Sequence, residues 1–116
     1  MKFMLLIYTD ESRDLQPGEP GHQELWDAYV ALDEAAREAG VLVDSRPLQP
    51  TSSAVTVRAR DGARSTDPGP FEKTAVQLAG YYLLDCRDME DAIHWAARIP
   101  GAAQGCIEVR PLFEID

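Results

Sequence analysis

An α+β fold, in which two helices cover one face of an antiparallel sheet, is the class that the sequence predicts. Three observations support it: a chain of only 116 residues, alternating apolar runs typical of strands, and two stretches with helical apolar spacing. The length corresponds to a single domain, 1–116, because folding units usually contain roughly 100–150 residues. With 45% hydrophobic residues, the chain has enough apolar material for a core of its own.

The first predicted element is a buried strand at residues 3–8. Its two faces are both apolar, as expected of a central strand that is covered on each side. One face carries Phe3, Leu5 and Ile7, and the other carries Met4, Leu6 and Tyr8. Residues 10–21 are charged and rich in Gly and Pro, which predicts a surface loop long enough to act as a lid.

A helix is predicted from His22 to Ala39, with Gly40 as its stop signal. Asp33 and Arg37 lie four residues apart on its outer side and form a modest stabilising pair. Apolar residues recur at helical spacing on the core-facing side: Leu25, Tyr29, Leu32, Ala36 and Ala39.

Three strands are predicted after this helix. The second strand of the chain begins at 41–43, and two following prolines end it early or confine it to an edge. The third covers 54–60, with inward side chains at Val55, Val57 and Ala59. A turn at 61–62 and a loop around 67–71 separate it from the fourth strand, at 80–84.

Asp88 is the predicted N-cap of a second helix, which presents Ala92, Ile93 and Ala96 to the core and ends at 100–101. The last strand covers 106–115, with inward side chains at Ile107, Val109 and Phe113. The element order favours a ferredoxin-like antiparallel sheet with both helices on one face. The second sheet face is then bare, and a second copy of the chain is the simplest cover for it, so we predict a homodimer.

Charge and cysteine content exclude several classes of protein. The 11 basic and 20 acidic residues give a net charge of −9, which argues against nucleic-acid binding because it repels a phosphate backbone. Cys86 and Cys106 fit neither a zinc site nor a disulfide framework, so free thiols are expected. No apolar run approaches the roughly 20 residues of a membrane span, and no nucleotide-binding or metalloprotease motif occurs. We expect a cytoplasmic protein that needs no cofactor or metal.

Six blocks of sequence are distinctive in their order and spacing: MKFMLLIY at 1–8, LQP at 48–50, TDPGPF at 66–71, GYYLLD at 80–85, WAARIP at 95–100 and IEVRP at 107–111. Over nearly the whole chain they resemble the YCII-related family, in its DGPF branch. The resemblance implies a dimeric α+β barrel of ferredoxin-like subunits, in agreement with the pattern-based prediction. It also implies chemistry on small organic acids or lactones, the substrates of the few relatives with an activity.

The chain departs from the family pattern at three places. In the founding branch, a His on the first helix pairs with an Asp as the proposed catalytic dyad, and that His position corresponds here to Tyr29. In the signature loop, Pro68 is inserted before Gly69. The acid and the lysine that commonly follow the loop correspond here to Lys73 and Ala75. These changes remove groups that serve acid–base chemistry.

Asp67 and His22 are the candidates for proton transfer. Asp67 lies in a rigid loop that is able to aim a carboxylate at a cleft, and a turn-forming role is its alternative. His22 lies seven residues before Tyr29 on nearly the same helical face, and histidine suits proton transfer at neutral pH. A surface position in the first helical turn is its alternative.

Hydroxyl, aromatic and guanidinium groups make six further residues candidates for ligand binding: Tyr8, Tyr29, Tyr82, Phe71, Arg58 and Arg110. Arg58 lies with Arg46 and Arg60 where basic residues concentrate, and the guanidinium fork suits a carboxylate. Arg110 shares the polar side of the last strand with Glu108, and an ion pair between sheets or between subunits is its alternative role.

Two functions stay open at this point. The first is a cofactor-independent enzyme that acts on a small, carboxylated molecule by proton abstraction or elimination, in a cleft between helices and sheet near the dimer interface. The second is a noncatalytic dimeric module that binds a ligand or a protein. In the YCII-related family, genes often neighbour those of alternative sigma factors. The resemblance therefore implies a regulatory role for such a module.

Overall fold

A four-stranded antiparallel sheet and two helices form the body of the protein in the computed structural model, which describes residues 1–114. The elements are β1 (Lys2–Asp10), α1 (His22–Glu38), β2 (Leu42–Pro47), β3 (Val55–Arg60), β4 (Ala63–Pro68), β5 (Val76–Asp85), α2 (Met89–Ala96) and β6 (Cys106–Pro111). The strand order of the main sheet is β2-β5-β1-β6, and every neighbouring pair is antiparallel. The predicted ferredoxin-like arrangement is confirmed.

The core lies between the helices and one face of the sheet. Along β1, every second side chain is buried, and Phe3 and Leu5 are fully shielded from water. The helices complete this layer with Leu32 and Ala36 from α1 and with Ala92, Trp95 and Ala96 from α2. Both helices therefore cover the same sheet face.

The opposite face of the sheet, called here the open face, is only half-buried. It carries Met4, Leu6 and Tyr8 from β1, which alternate with the buried set. Leu83 and Tyr81 of β5 lie directly opposite Met4 and Leu6. Because the helices pack on the other side, this apolar surface stays in contact with water in a single chain.

A two-stranded hairpin formed by β3 and β4 is inserted between β2 and β5 as a separate sheet. We call it the arm and define it as residues 55–68. The predicted turn is confirmed, since Asp61 and Gly62 both have positive φ, 51° and 78°, as a two-residue type I′ turn requires. The arm extends the molecule: the radius of gyration is 16.2 Å, whereas about 13 Å is typical of this length.

Two predictions about the arm were wrong. Its three predicted inward residues are exposed, Val55 and Val57 by 63% and 59% and Ala59 likewise, because no helix or other strand within residues 1–114 packs extensively on this hairpin. Residues 63–68 form a strand, so the predicted loop around 67–71 does not include Asp67 and Pro68. Their composition is weakly β-forming, so the turn, which aligns them with β3, determines their conformation.

The boundaries and faces of the other elements need smaller corrections. On α1, Leu25 is 38% exposed and Ala39 is exposed beyond the helix end. On α2, the predicted core residues Ala92 and Ala96 are buried, whereas Ile93 is 45% exposed and Trp95 is buried in its place. The last strand ends at Pro111, and Phe113 is 91% exposed. The predicted end of this strand at Ile115 lies outside the described residues.

Candidate functional site

An open cleft of about 320 Å³ lies between the C-terminal half of α1 and the edge strand β2. Its lining combines two arginines, two aspartates and a serine with two aliphatic side chains: Asp33, Arg37, Leu42, Val43, Asp44, Ser45 and Arg46. The volume is at the lower end of the range of small-molecule sites. The helix contributes Asp33 and Arg37. Both reach the cleft because residues four positions apart share one face of a helix.

Tyr82 supports this cleft from the core side. It lies at the centre of β5, opposite Ser45 of β2, and is only 4% exposed. Its hydroxyl donates a hydrogen bond of 2.5 Å to Oδ1 of Asp33. Burial raises the pKa of Tyr82 far above its ordinary value, and the hydrogen bond to Asp33 and the charge of Asp33 raise it further. Tyr82 therefore keeps its proton and holds the Asp33 carboxylate in place.

Arg37 and Arg46 are the two cations of the cleft. Arg37 is exposed and forms no ion pair with another residue in the range 1–114, so the predicted pair with Asp33 is absent there. Arg46 lies 3.8 Å from Oδ1 of Asp44, and its side chain is 71% exposed. Hydrogen bonds from the Tyr81 hydroxyl and the Ser45 backbone lower the pKa of Asp44. Both guanidinium groups are exposed, but Arg46 is paired with Tyr81 of β5 and so leaves β2 on the side of the open face, whereas Arg37 lies on the helix side.

Tyr29 lies one helical turn before Asp33, at the position that the family resemblance links to a catalytic histidine. Its hydroxyl accepts a hydrogen bond of 3.1 Å from the backbone N–H of Gly101. Burial raises the pKa of Tyr29, the hydrogen bond from Gly101 opposes this, and the charges of Asp14 and Asp33 add to the rise. Tyr29 therefore ties α1 to the segment after α2 as a neutral phenol.

The two residues predicted for proton transfer lie on different elements. His22 is half-buried at the first position of α1. Asp67 lies on the arm, where its Oδ2 accepts a hydrogen bond of 3.0 Å from Nη1 of Arg58. No hydrogen bond between His22 and Asp67 occurs in the described part of the chain. Their catalytic roles stay predictions.

The remaining predicted ligand-binding residues are dispersed. Arg58 pairs with Asp67 on the arm, and Phe71 is 77% exposed just after it. Tyr8 lies on the open face. Arg110 forms an ion pair of 2.5 Å with Glu108 of the same strand. The predicted arginine cluster is divided, because Arg46 belongs to the main sheet whereas Arg58 and Arg60 belong to the arm.

Sequence reasoning singled out Tyr29, Tyr82 and Arg46 but assigned no functional role to Asp33, Arg37 or Ser45. One signal was present for Asp33, which follows Tyr29 by four residues and so shares its helix face. No local signal pointed to Ser45, because its position beside Tyr82 depends on the register between β2 and β5.

Three further features of the described residues concern metal binding, membrane spans and the cysteines. Within residues 1–114, no group of three or more His, Cys, Asp or Glu side chains is placed to hold a metal ion. In the same range, every helix is too short or too polar to span a membrane. Cys86 and Cys106 are free thiols, the first buried and the second exposed.

Comparison with known proteins agrees with the sequence resemblance. The family model for the YCII-related domain matches residues 1–116. A protein of Rhizobium meliloti (strain 1021), itself described as uncharacterized, is 33% identical over 114 residues, which cover 97% of this chain and 92% of the relative. The chain therefore belongs to the YCII-related family.

Proposed function

We propose that the cleft between α1 and β2 binds a small carboxylated molecule and that the protein transfers a proton on it without a cofactor. The observation that carries this proposal is the Asp33 carboxylate, held by the buried Tyr82 hydroxyl at 2.5 Å in a cleft that also contains the exposed Arg37, four residues later on the same helix face. A fixed carboxylate beside cationic groups meets the basic requirement for proton abstraction next to a bound acid.

Each group has a distinct proposed role. Arg37 holds the carboxylate of the substrate, because a guanidinium group binds it through paired hydrogen bonds, and Arg46 attracts the anion from the rim of the cleft. Asp33 accepts the proton from the carbon next to the substrate carbonyl. Tyr82 is a positioning residue, since it is buried behind Asp33 and keeps its own proton. Ser45 contributes a hydroxyl at the floor of the cleft.

Binding is tested by thermal denaturation with a panel of short mono- and dicarboxylates, each compared with its methyl ester. A carboxylate that binds the folded state raises the melting temperature, by an amount equivalent to about 2.7 kcal/mol at a hundred times its dissociation constant. The double variant R37Q/R46Q is expected to lose this increase. The matched control is Arg13→Gln, an exposed arginine outside the cleft. An equal increase in R37Q/R46Q and wild type would show that the acid binds elsewhere.

Proton transfer is tested by proton NMR of the bound acid in D₂O, in which exchange at the carbon next to the carbonyl removes a signal. Asp33→Asn is expected to slow this exchange at least about a hundredfold, the usual contribution of a general base. His22→Ala and Asp67→Asn are measured in parallel, because these residues are the alternative proton carriers. Loss of exchange in either of them, with Asp33→Asn still active, would contradict the role of Asp33.

A noncatalytic dimeric module is the second candidate function, and it shares its dimer with the first. A single chain exposes 8200 Å², whereas folded monomers of this mass expose about 6,300 Å². The apolar open face is the natural site for a second copy, so we propose a homodimer for either function. The module would bind the same acids but leave their protons unexchanged in wild type.

The DGPF branch and a regulatory link to an alternative sigma factor stay predictions.

A further inference from the structure

The arm has two chemically different faces, because its strands are paired in a regular register. One face, called here the apolar face of the arm, carries Val55, Val57, Ala59, Arg64, Thr66 and Pro68. The other carries Thr56, Arg58, Arg60, Ala63, Ser65 and Asp67. On this second face, Arg58 and Asp67 form an exposed ion pair of 3.0 Å. The arm is therefore amphipathic, like a hairpin that lies on another surface.

In the described part of the chain, no surface covers the apolar face of the arm. The arm makes no extensive contact with another helix or strand, and Val55 and Val57 are more than half exposed. A two-stranded hairpin alone is at best marginally stable in water, and an exposed ion pair contributes at most about 1 kcal/mol. The arm therefore needs a packing partner outside its own chain.

The exposed area indicates that a second copy of the chain is this partner. Each chain exposes 8200 Å², which is about 1,900 Å² more than a folded monomer of its mass. A standard interface hides about 800 Å² on each partner. The excess is therefore large enough for an interface that includes both the open face and the arm.

Charge distribution points to the same partner. The arm contains three of the eleven basic residues and two of the twenty acidic residues, so it carries one net positive charge while the rest of the chain carries ten negative charges. A positive segment on a strongly acidic protein is attracted to the acidic body of another copy. Since both copies carry the same arm, the contact is reciprocal in a twofold dimer.

We propose that the arm of each protomer packs its apolar face on the body of the partner protomer. This inference rests on the homodimer proposed above and adds to it a specific contact, made by residues that lie outside the main sheet. In this arrangement, Val55 and Val57 become buried and Arg64, on the same face, meets the acidic body of the partner, while the face with Arg58 and Asp67 remains in water.

The test compares two variants of the arm by sedimentation over a range of protein concentrations. Val57→Asp places a charge on the apolar face, and Ser65→Asp places the same charge on the other face of the same hairpin. We expect Val57→Asp to raise the dimer dissociation constant by at least about tenfold and Ser65→Asp to leave it unchanged. If wild type and both variants dimerise equally, the arm contact is overturned and the homodimer stands. If wild type is a monomer at every concentration, the homodimer and the arm contact both fail.

Hydrogen–deuterium exchange of the wild-type protein tests the contact without any substitution in the arm. The amides of residues 55–68 are expected to exchange slowly above the dimer dissociation constant and rapidly below it, since an unsupported hairpin opens readily. Equally rapid exchange in dimer and monomer would overturn the proposal even if Val57→Asp weakens the dimer.

Discussion

At the scale of single residues, Tyr82 joins the hydrophobic core to the candidate site. Its ring is packed among buried residues that include Leu5 and Leu32, and its hydroxyl reaches Asp33. Burial is the main cause of its raised pKa, followed by the hydrogen bond to Asp33. The same side chain thus contributes to stability and fixes a carboxylate that faces the cleft.

The raised pKa of Tyr82 predicts a loss of stability at alkaline pH. An unfolded tyrosine titrates near pH 10, and the folded one titrates higher, so the folded state holds the extra proton above that pH. The contribution of Tyr82 is complete below pH 10 and declines above it, by up to about 1.4 kcal/mol per pH unit. Tyr82→Phe is expected to reduce this decline, as measured by urea unfolding at one fixed protein concentration.

Asp33→Asn is the informative comparison for this measurement. It removes the charge and weakens the acceptor but leaves Tyr82 buried, so part of the alkaline decline is expected to persist. At neutral pH, Tyr82→Phe should cost about 1 kcal/mol because Asp33 loses its hydrogen bond. An alkaline decline in Tyr82→Phe as steep as in wild type would contradict the assignment to this residue.

At the scale of elements, the short helix α2 depends on hydrogen bonds at its first turn. Oδ1 of Asp88 accepts from the backbone N–H of Asp91 at 2.9 Å. In return, the Asp91 carboxylate accepts from the backbone N–H of Arg87 at 3.1 Å, which lowers the pKa of Asp91. This reciprocal pattern satisfies donors that a helix terminus otherwise leaves free.

Asp88→Ala is expected to lower the free energy of unfolding by about 1 kcal/mol, the usual cost of losing an N-cap. Asp88→Asn should restore most of it, since asparagine caps as well as aspartate does. Urea unfolding of both variants at one protein concentration measures the difference. Equal losses in the two variants would mean that the charge of Asp88, and not its capping hydrogen bond, supports the helix.

At the scale of the whole molecule, one chain leaves two apolar surfaces in water, the open face and the apolar face of the arm. Leu6 lies at the centre of the open face, between Tyr81 of β5 and Glu108 of β6. On the apolar face of the arm, the exposed apolar residues are Val55 and Val57. Both surfaces are explained together if two copies of the chain cover them.

Leu6→Asp is therefore expected to convert the dimer into a monomer, because it buries a charge without a partner. Met89→Asp is the control: it makes the same kind of change on the first turn of α2, at a side chain that is 37% exposed. Light scattering behind a sizing column reports the mass, and circular dichroism reports whether the fold is kept. A folded dimer in Leu6→Asp would locate the interface away from the open face.

Features that depend on neighbouring residues follow from the amino-acid sequence: the alternation of β1, the helices, the Asp88 cap and the Asp61-Gly62 turn. It also identified the family, because the distinctive blocks keep their order along the chain. Local periodicity did not indicate which apolar faces would be covered, so Val55, Ile93 and Phe113 were assigned to the core.

Only the tertiary structure decided the candidate site and the position of the arm. Asp33 and Tyr82 are 49 residues apart, and Ser45 joins them only through the register between β2 and β5. The arm shows strand periodicity like any buried strand, and whether a second layer covers it depends on the assembled chain. Local patterns record which conformation a segment prefers, whereas contacts between distant segments exist only after the sheet has formed.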